Sequence, residues 1–208
     1  MAALIVVDMQ SKQKQHDFID GSLAVNDAAK TIPRIVQLIE KGNWEVIVVS
    51  RDCHPQNHIS FADTHNKQPF EAITINDHKQ ELWPVHCVKN SSGFQLHSAI
   101  HDALNQSPNE VIYVDKGCDV DKDAYSAFQA SSHDVQSILA DHRVQNFYVC
   151  GLAADFCVKA TAMEGHKVTG LPVAVVEDAT AAVDDGSDWR GELQECGVYL
   201  ARTTEVLL

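Results

Sequence analysis

Four side chains of this sequence could together open a carbonyl group: Cys157, Asp8, Lys116 and Asp52. Cys157 lies in V-C-G-L-A-A-D-F-C-V-K-A-T, which runs from Val149 to Thr161. A cysteine that attacks a carbonyl carbon needs a base to take its proton and later to deliver one to the leaving group, and a carboxylate such as Asp8 can do both. An ammonium such as Lys116 favours a thiolate and a carboxylate alike. Each group also has a plainer alternative. Free cysteine is among the most buried residue types and serves as inert core, and Lys116 taken alone reads as a buried ion pair that orders its surroundings.

A series of buried strands must position these groups. Leu4 to Val7 is a short, all-apolar run rich in β-branched residues, the pattern of a strand covered on both faces, and Asp8 follows at its carboxyl end. Val46 to Val49 repeats the pattern and R-D-C-H-P follows directly, so Asp52 and His54 lie just past that strand. Val111 to Val114 leads to Asp115, Lys116 and Gly117, and Phe147 to Cys150 leads through Gly151 to Cys157. Val173 to Val176 and Val198 to Ala201 complete the strands. Between them Ile32, Ile35, Val36 and Ile39 recur at helical spacing, with Pro33 expected in a first turn and Gly42 as the stop. Leu96, Ile100 and Leu104 mark a second helix, and Val135, Ile138 and Leu139 a third. Asp155 is expected to cap a fourth running through Val158, Ala160 and Met163. Near that helix N-terminus Cys157 is expected to favour the thiolate.

Strands alternating with helices predict an α/β fold, a three-layer sandwich around a mostly parallel sheet, in one domain over residues 1–208. In such a sheet ligands bind outside the carboxyl ends of the strands, near the point where strand order reverses. Asp8, Asp52, Lys116 and Cys157 all occupy such ends. Two stretches have no period: the polar loop from Gln10 to Phe18, and Pro55 to Ser92, which holds W-P-V-H-C from Trp83. Irregular segments that long are usually functional.

The formal net charge of -13 argues against a nucleic-acid partner, which needs clustered Lys and Arg. A small neutral or cationic substrate is easier to accept. Asp8 interrupts the apolar N-terminus at once, so neither a signal peptide nor a membrane span is expected, and the protein is read as cytoplasmic with six reduced cysteines. A homo-oligomer is compatible with the sequence.

The motifs I-V-V-D-M-Q at Asp8, R-D-C-H-P-Q-N-H-I-S-F from Arg51, W-P-V-H-C-V-K-N from Trp83, V-D-K-G at Lys116 and G-L-A-A-D-F-C-V-K-A-T-A at Cys157 resemble, over nearly the whole chain, the nicotinamidases of the isochorismatase-like cysteine hydrolase superfamily. The resemblance implies an amidase that converts nicotinamide to nicotinate and ammonia through a thioester, with Asp8, Lys116 and Cys157 as catalytic triad. Pyrazinamide is implied as a further substrate. It implies that Asp52, His54 and His86 bind one divalent metal, and that Phe18 and Trp83 flank the substrate ring. It also places a cis peptide between Leu152 and Ala153, with the N–H groups of Ala153 and Cys157 directed at the oxyanion. One carboxylate and two imidazoles suit zinc, the first expectation, or iron or manganese. The same donor set would suit a metal-centred hydrolase or an iron oxygenase. His58 matches a histidine that contributes to metal binding in some relatives, and a hydrogen bond to a ligand is its alternative role. His65, His78, His97, His101, His133 and His142 are read as surface histidines. Two departures stand out: S-K-Q-K-Q-H separates Gln10 from Asp17 and Phe18, and Cys53 stands where relatives carry tryptophan. Cys53 is read as a substituted packing position, with a soft metal ligand or an oxidation site as alternatives.

Overall fold

A computed structural model describes residues 1–10, 18, 19, 21–75 and 77–208, and for His78 the backbone alone. The polar loop expected between Gln10 and Phe18 therefore lies, over 11–17, outside the described residues, as does the side chain of His78.

The main sheet has six strands: β1 (Ala2–Val7), β2 (Val46–Asp52), β5 (Val111–Lys116), β6 (Asn146–Leu152), β7 (Val173–Ala181) and β8 (Tyr199–Ala201). They lie in the order β5-β2-β1-β6-β7-β8, and every neighbouring pair is parallel. A short antiparallel hairpin of β3 (Ala72–Ile75) and β4 (His78–Glu81) stands apart. It lies in the stretch read as irregular, where exposed, mixed-polarity strands leave no apolar run to find. The helices are α1 (Ala28–Lys41), α2 (Ser98–Gln106), α3 (Val135–Asp141), α4 (Lys159–Thr169), α5 (Trp189–Glu195) and α6 (Thr203–Val206).

The uninterrupted apolar runs arise because each central strand is covered twice. Leu4 and Val6 of β1 pack with Ile47 and Val49 of β2 against Ile35, Leu38 and Ile39 of α1 and Ile100 and Leu104 of α2. The alternate residues Ala3, Ile5 and Val7 face the opposite layer, with Val135 and Leu139 of α3, Val158 just before α4, Ala162 within it, and Leu193 of α5. A period of two within the strand thus serves two cores, and no polar position is left.

Two local expectations are corrected. Helix α1 begins at Ala28, so Pro33 is interior rather than in a first turn. The segment holding Cys157 is a π-helical turn, Ala154–Val158, that precedes α4, and Asp155 does not cap it. The Asp155 carboxylate instead accepts the N–H groups of Val183 (3.0 Å) and Asp184 (2.9 Å), tying the Cys157 turn to the loop after β7.

Strand order reverses between β1 and β6: from β1 the chain builds outward to β2 and β5, then returns to β6 on the other side. That crevice is where a ligand is expected. Gly151 lets the two strands close there. It has φ +114°, and a Cβ would stand 2.0 Å from the carbonyl oxygen of Val7. Gly151→Ala is therefore expected to lose more than about 3 kcal/mol of stability through strain and forced strand separation. A urea melt of this variant beside wild type measures it.

Candidate active site

The carboxyl ends of β1, β2, β5 and β6 meet around one ammonium. Lys116, the last residue of β5, has a fully buried side chain. Its Nζ lies 2.9 Å from Asp8 Oδ2, 2.5 Å from Asp52 Oδ1, 3.2 Å from the carbonyl oxygen of Ala124 and 3.4 Å from Cys157 Sγ. Asp8 sits just past β1 in the left-handed region (φ 48°), and Ser50 Oγ donates to its Oδ1 at 2.7 Å. Asp8 Oδ2 accepts no well-directed hydrogen bond.

The charges act on one another at short range in a dry setting. Burial pushes the Asp8 carboxyl up to about 6, against the pull of Lys116 and with a further push from Asp52. Burial disfavours the Asp52 carboxylate too, but Lys116 and His54 outweigh it and hold Asp52 well below the ordinary carboxylate range. Lys116 stays charged: burial opposes the ammonium, and Asp52, Asp8 and Cys157 together more than offset that. Burial also drives the Cys157 thiol well above its usual value, against Lys116 and reinforced by both aspartates. The expected thiolate is thus corrected to a resting thiol, because desolvation and two neighbouring carboxylates outweigh one ammonium and the helix terminus.

Asp52 faces two ways. Its Oδ2 lies 3.5 Å from His54 Nε2 and 3.7 Å from His86 Nε2, and one ligand atom from each of the three residues falls within 4.8 Å of the others. His54 Nδ1 pairs with the carbonyl oxygen of Gly117 at 3.0 Å, and His86 Nδ1 with that of Pro84 at 2.8 Å. A carbonyl only accepts, so each Nδ1 carries a proton and each Nε2 faces Asp52, where in the neutral ring it can ligate a cation. Metal-binding histidines are oriented in this way. Gly117 (φ +63°) makes room for it, since a Cβ there would lie 2.6 Å from His54 Nδ1. The donor set fits a divalent cation. A second cluster of ligand types, Asp8, Asp52 and Cys157, has Lys116 Nζ within 3.4 Å of all three side chains.

His58 stands beside the group of Asp52, His54 and His86. Its Nε2 meets the carbonyl oxygen of Lys122 at 3.2 Å and its Nδ1 pairs with Ser60 Oγ at 2.7 Å, so both nitrogens are engaged while the ring stacks 4.2 Å from that of His54. Of the histidines read as surface groups, His65 is held by the Ile59 carbonyl at 2.7 Å and His97 accepts the N–H of Ala99 at the start of α2.

Above the buried charges lies a small cavity, partly open to solvent. Phe18, Trp83, Ala153, Asp52, His54, His86 and Cys157 all line it, while Asp8 and Lys116 lie beneath with no exposed surface. The peptide Leu152–Ala153 is cis. Sequence reasoning missed Tyr125, Asp123 and Phe156. Trp83 Nε1 donates to Tyr125 Oη at 3.1 Å, and Phe156 meets Trp83 edge-on at 4.8 Å. The aromatic residue beside Cys157, Phe156, was the one legible signal among them.

The sequence profile of the isochorismatase domain matches residues 2–205. This chain belongs to the isochorismatase family. The family chain is 37% identical over 212 residues to the nicotinamidase of Saccharomyces cerevisiae, covering 94% of each. A nicotinamidase and pyrazinamidase structure from Acinetobacter baumannii superposes with a TM-score of 0.86 at 34% identity, covering 99% of this chain and 98% of that one. A pyrazinamidase of Pyrococcus horikoshii, solved in complex with zinc, gives a TM-score of 0.75 at 31% identity over 97% and 98% of the two chains. Among the described residues no helix is long and apolar enough to cross a membrane.

Lys116→Met is expected to leave two buried carboxylates without their cation and to cost about 3–5 kcal/mol. Asp8 would then take up a proton more readily still. A carboxyl raised on folding makes the folded state bind more protons than the unfolded one, so stability falls as pH rises. Urea melts of the variant should therefore show a deficit that narrows as pH drops from 8 toward 5.

Proposed function

We propose that this chain is a nicotinamidase, a single-domain cysteine amidase that hydrolyses nicotinamide to nicotinate and ammonia and accepts pyrazinamide. The observation that carries the reading is Cys157 Sγ at the floor of an aromatic-walled cavity, 3.4 Å from a buried ammonium that also holds Asp8 at 2.9 Å.

Phe18 and Trp83 would flank the pyridine ring and leave its carboxamide over Cys157. As the thiol attacks the carboxamide carbon, its proton passes to Asp8, whose Oδ2 has no other well-directed partner. The N–H groups of Ala153 and Cys157 take the oxyanion of the tetrahedral intermediate. When the C–N bond breaks, Asp8 returns the proton to the departing nitrogen, and ammonia leaves a thioester on Cys157. Water, deprotonated by Asp8, then attacks the thioester carbon, and nicotinate and the thiol are released. Lys116 keeps Asp8 and the sulfur in register and offsets the negative charge that moves between them. Asp52, His54 and His86 would hold a divalent ion, zinc in the first instance with iron and manganese as alternatives, which supplies a Lewis-acidic position for the ring nitrogen and for water.

Ammonia release from nicotinamide tests the activity directly, and Cys157→Ala should abolish it while nicotinate still binds. Activity retained by the alanine variant would favour a metal-bound-water mechanism. Benzamide has the same outline without the ring nitrogen and should lose orientation, giving a kcat/KM at least about 10² lower than nicotinamide. Pyrazinamide should remain a substrate. Equal efficiency with benzamide would remove the ring nitrogen from the account.

The base sets the pH profile. Asp8 accepts a proton only when ionised, and burial holds it at about 6 rather than 3.8. The expected acid limb of kcat/KM therefore falls through about pH 6. A profile flat down to pH 4 would mean that another group is the base.

A further inference from the structure

From three buried hydrogen bonds we infer that Gln10 is a positioning residue for Asp52, fixing the carboxylate that serves both Lys116 and the two histidines. The inference rests on the metal and triad reading above and adds a residue to it.

The β1–β2 ladder ends at the pair Val7 and Ser50, with one last bond from Asp8 N–H to the Ser50 carbonyl at 3.2 Å. Asp8 then turns the chain out of the sheet through φ 48°. Strand β2 runs on to Asp52, whose peptide groups on the β1 side have lost their backbone partner. The Gln10 amide takes its place. Asp52 N–H donates to Gln10 Oε1 at 2.7 Å, and Gln10 Nε2 donates to the Asp52 carbonyl at 2.8 Å. The second Nε2 hydrogen goes to the Phe94 carbonyl at 3.2 Å. Gln10 and Ser50 have no exposed surface, and Asp52 has 3%.

On the opposite side, Cys53 N–H donates to the Lys116 carbonyl at 2.9 Å and keeps β2 joined to β5. The Asp52 backbone is thus held on both edges, and its side chain divides cleanly, Oδ1 to Lys116 and Oδ2 toward His54 and His86. An amide is the one side chain that meets this need, because it offers an acceptor and a donor side by side, as a neighbouring strand would. Both groups would otherwise be buried without partners.

The test uses the full chain and the zinc ion alone, with affinity read by competition against a chromophoric chelator and folding read by near-UV circular dichroism. Gln10→Glu keeps the shape and the acceptor but loses the amide donors, and Gln10→Met keeps the length and loses both functions. Zinc affinity of the folded protein should fall by about 10- to 100-fold in each, the usual consequence of disturbing a partner of a metal ligand. At saturating zinc, kcat should also fall, because Oδ1 moves relative to Lys116. Variants that melt earlier yet bind zinc as wild type does would make Gln10 merely structural and overturn the inference. Loss of the fold in both variants would overturn it as well, by making Gln10 a folding residue. Wild-type protein without zinc affinity would overturn the metal reading itself and this inference with it, an outcome distinct from wild-type binding matched by both variants.

Discussion

The buried ammonium of Lys116 is the constraint on which the rest depends. A cation without exposed surface survives only if anions and carbonyl oxygens surround it, and here two carboxylates, one carbonyl and one sulfur do. Those partners come from the ends of β1, β2 and β6 and from Ala124 past β5, so the ion pairs can form only when the parallel strands are in register. The reverse also holds. Asp8 and Asp52 could not share so small a volume as carboxylates without the cation between them. Fold and site therefore specify each other through one charge.

Asp52 carries that order outward. With Oδ1 on Lys116 and Oδ2 facing His54 and His86, a single carboxylate belongs both to the buried cluster of Asp8, Lys116 and Cys157 and to the metal-type cluster. The two histidines differ in their response to this neighbour. His54 is raised despite burial, because Asp52 and the Gly117 carbonyl favour its charged form, while burial keeps His86 lowered. A dication at this position would make the protonated form of either ring unfavourable and would complete the charge balance that Asp52 begins. In the proposed reaction the ring nitrogen and the carboxamide are thereby referred to the same rigid carboxylate, which helps to explain why its backbone is fastened on both sides.

The strands and the groups at their ends were legible in the sequence, because strands covered on both faces read as unbroken Val and Ile runs and the parallel topology fixes which end faces the ligand. Asp8, Asp52, His54, Lys116 and Cys157 were found that way, and His86, Phe18 and Trp83 came through the family resemblance. The hairpin β3–β4 was hidden by its short strands of mixed polarity. Asp155 was misread because a carboxylate at a helix start and a carboxylate reaching a distant loop look the same in one dimension. Tyr125 and Asp123 gave no signal, since loop residues have no period and their partners lie tens of positions away, and Gln10 stood in the I-V-V-D-M-Q motif without a visible partner. The state of Cys157 was misjudged for a related reason. Proximity to a helix N-terminus is visible in a sequence, but the depth of burial and the nearness of two other acids are properties of the assembled fold.

In the proposed reaction, a nucleophile that rests as a thiol has a chemical consequence. Oxidation and alkylation of cysteine proceed through the thiolate, so a raised thiol is protected in the absence of substrate. Reactivity then has to be created at the moment of attack, by a base close enough to accept the proton and poised to hold it. Asp8 meets both conditions: a carboxylate oxygen lies within 4.8 Å of the sulfur, and burial has already brought its affinity for a proton to about 6. The same burial raises donor and acceptor together, so the gain in proton affinity at Asp8 works against the rise of the thiol. Lys116 touches both ends of that transfer, so its charge stabilises the negative form wherever it resides. Burial thus restrains the thiol and prepares its base, and the low dielectric that makes the resting site unreactive also strengthens the fields available to the transition state.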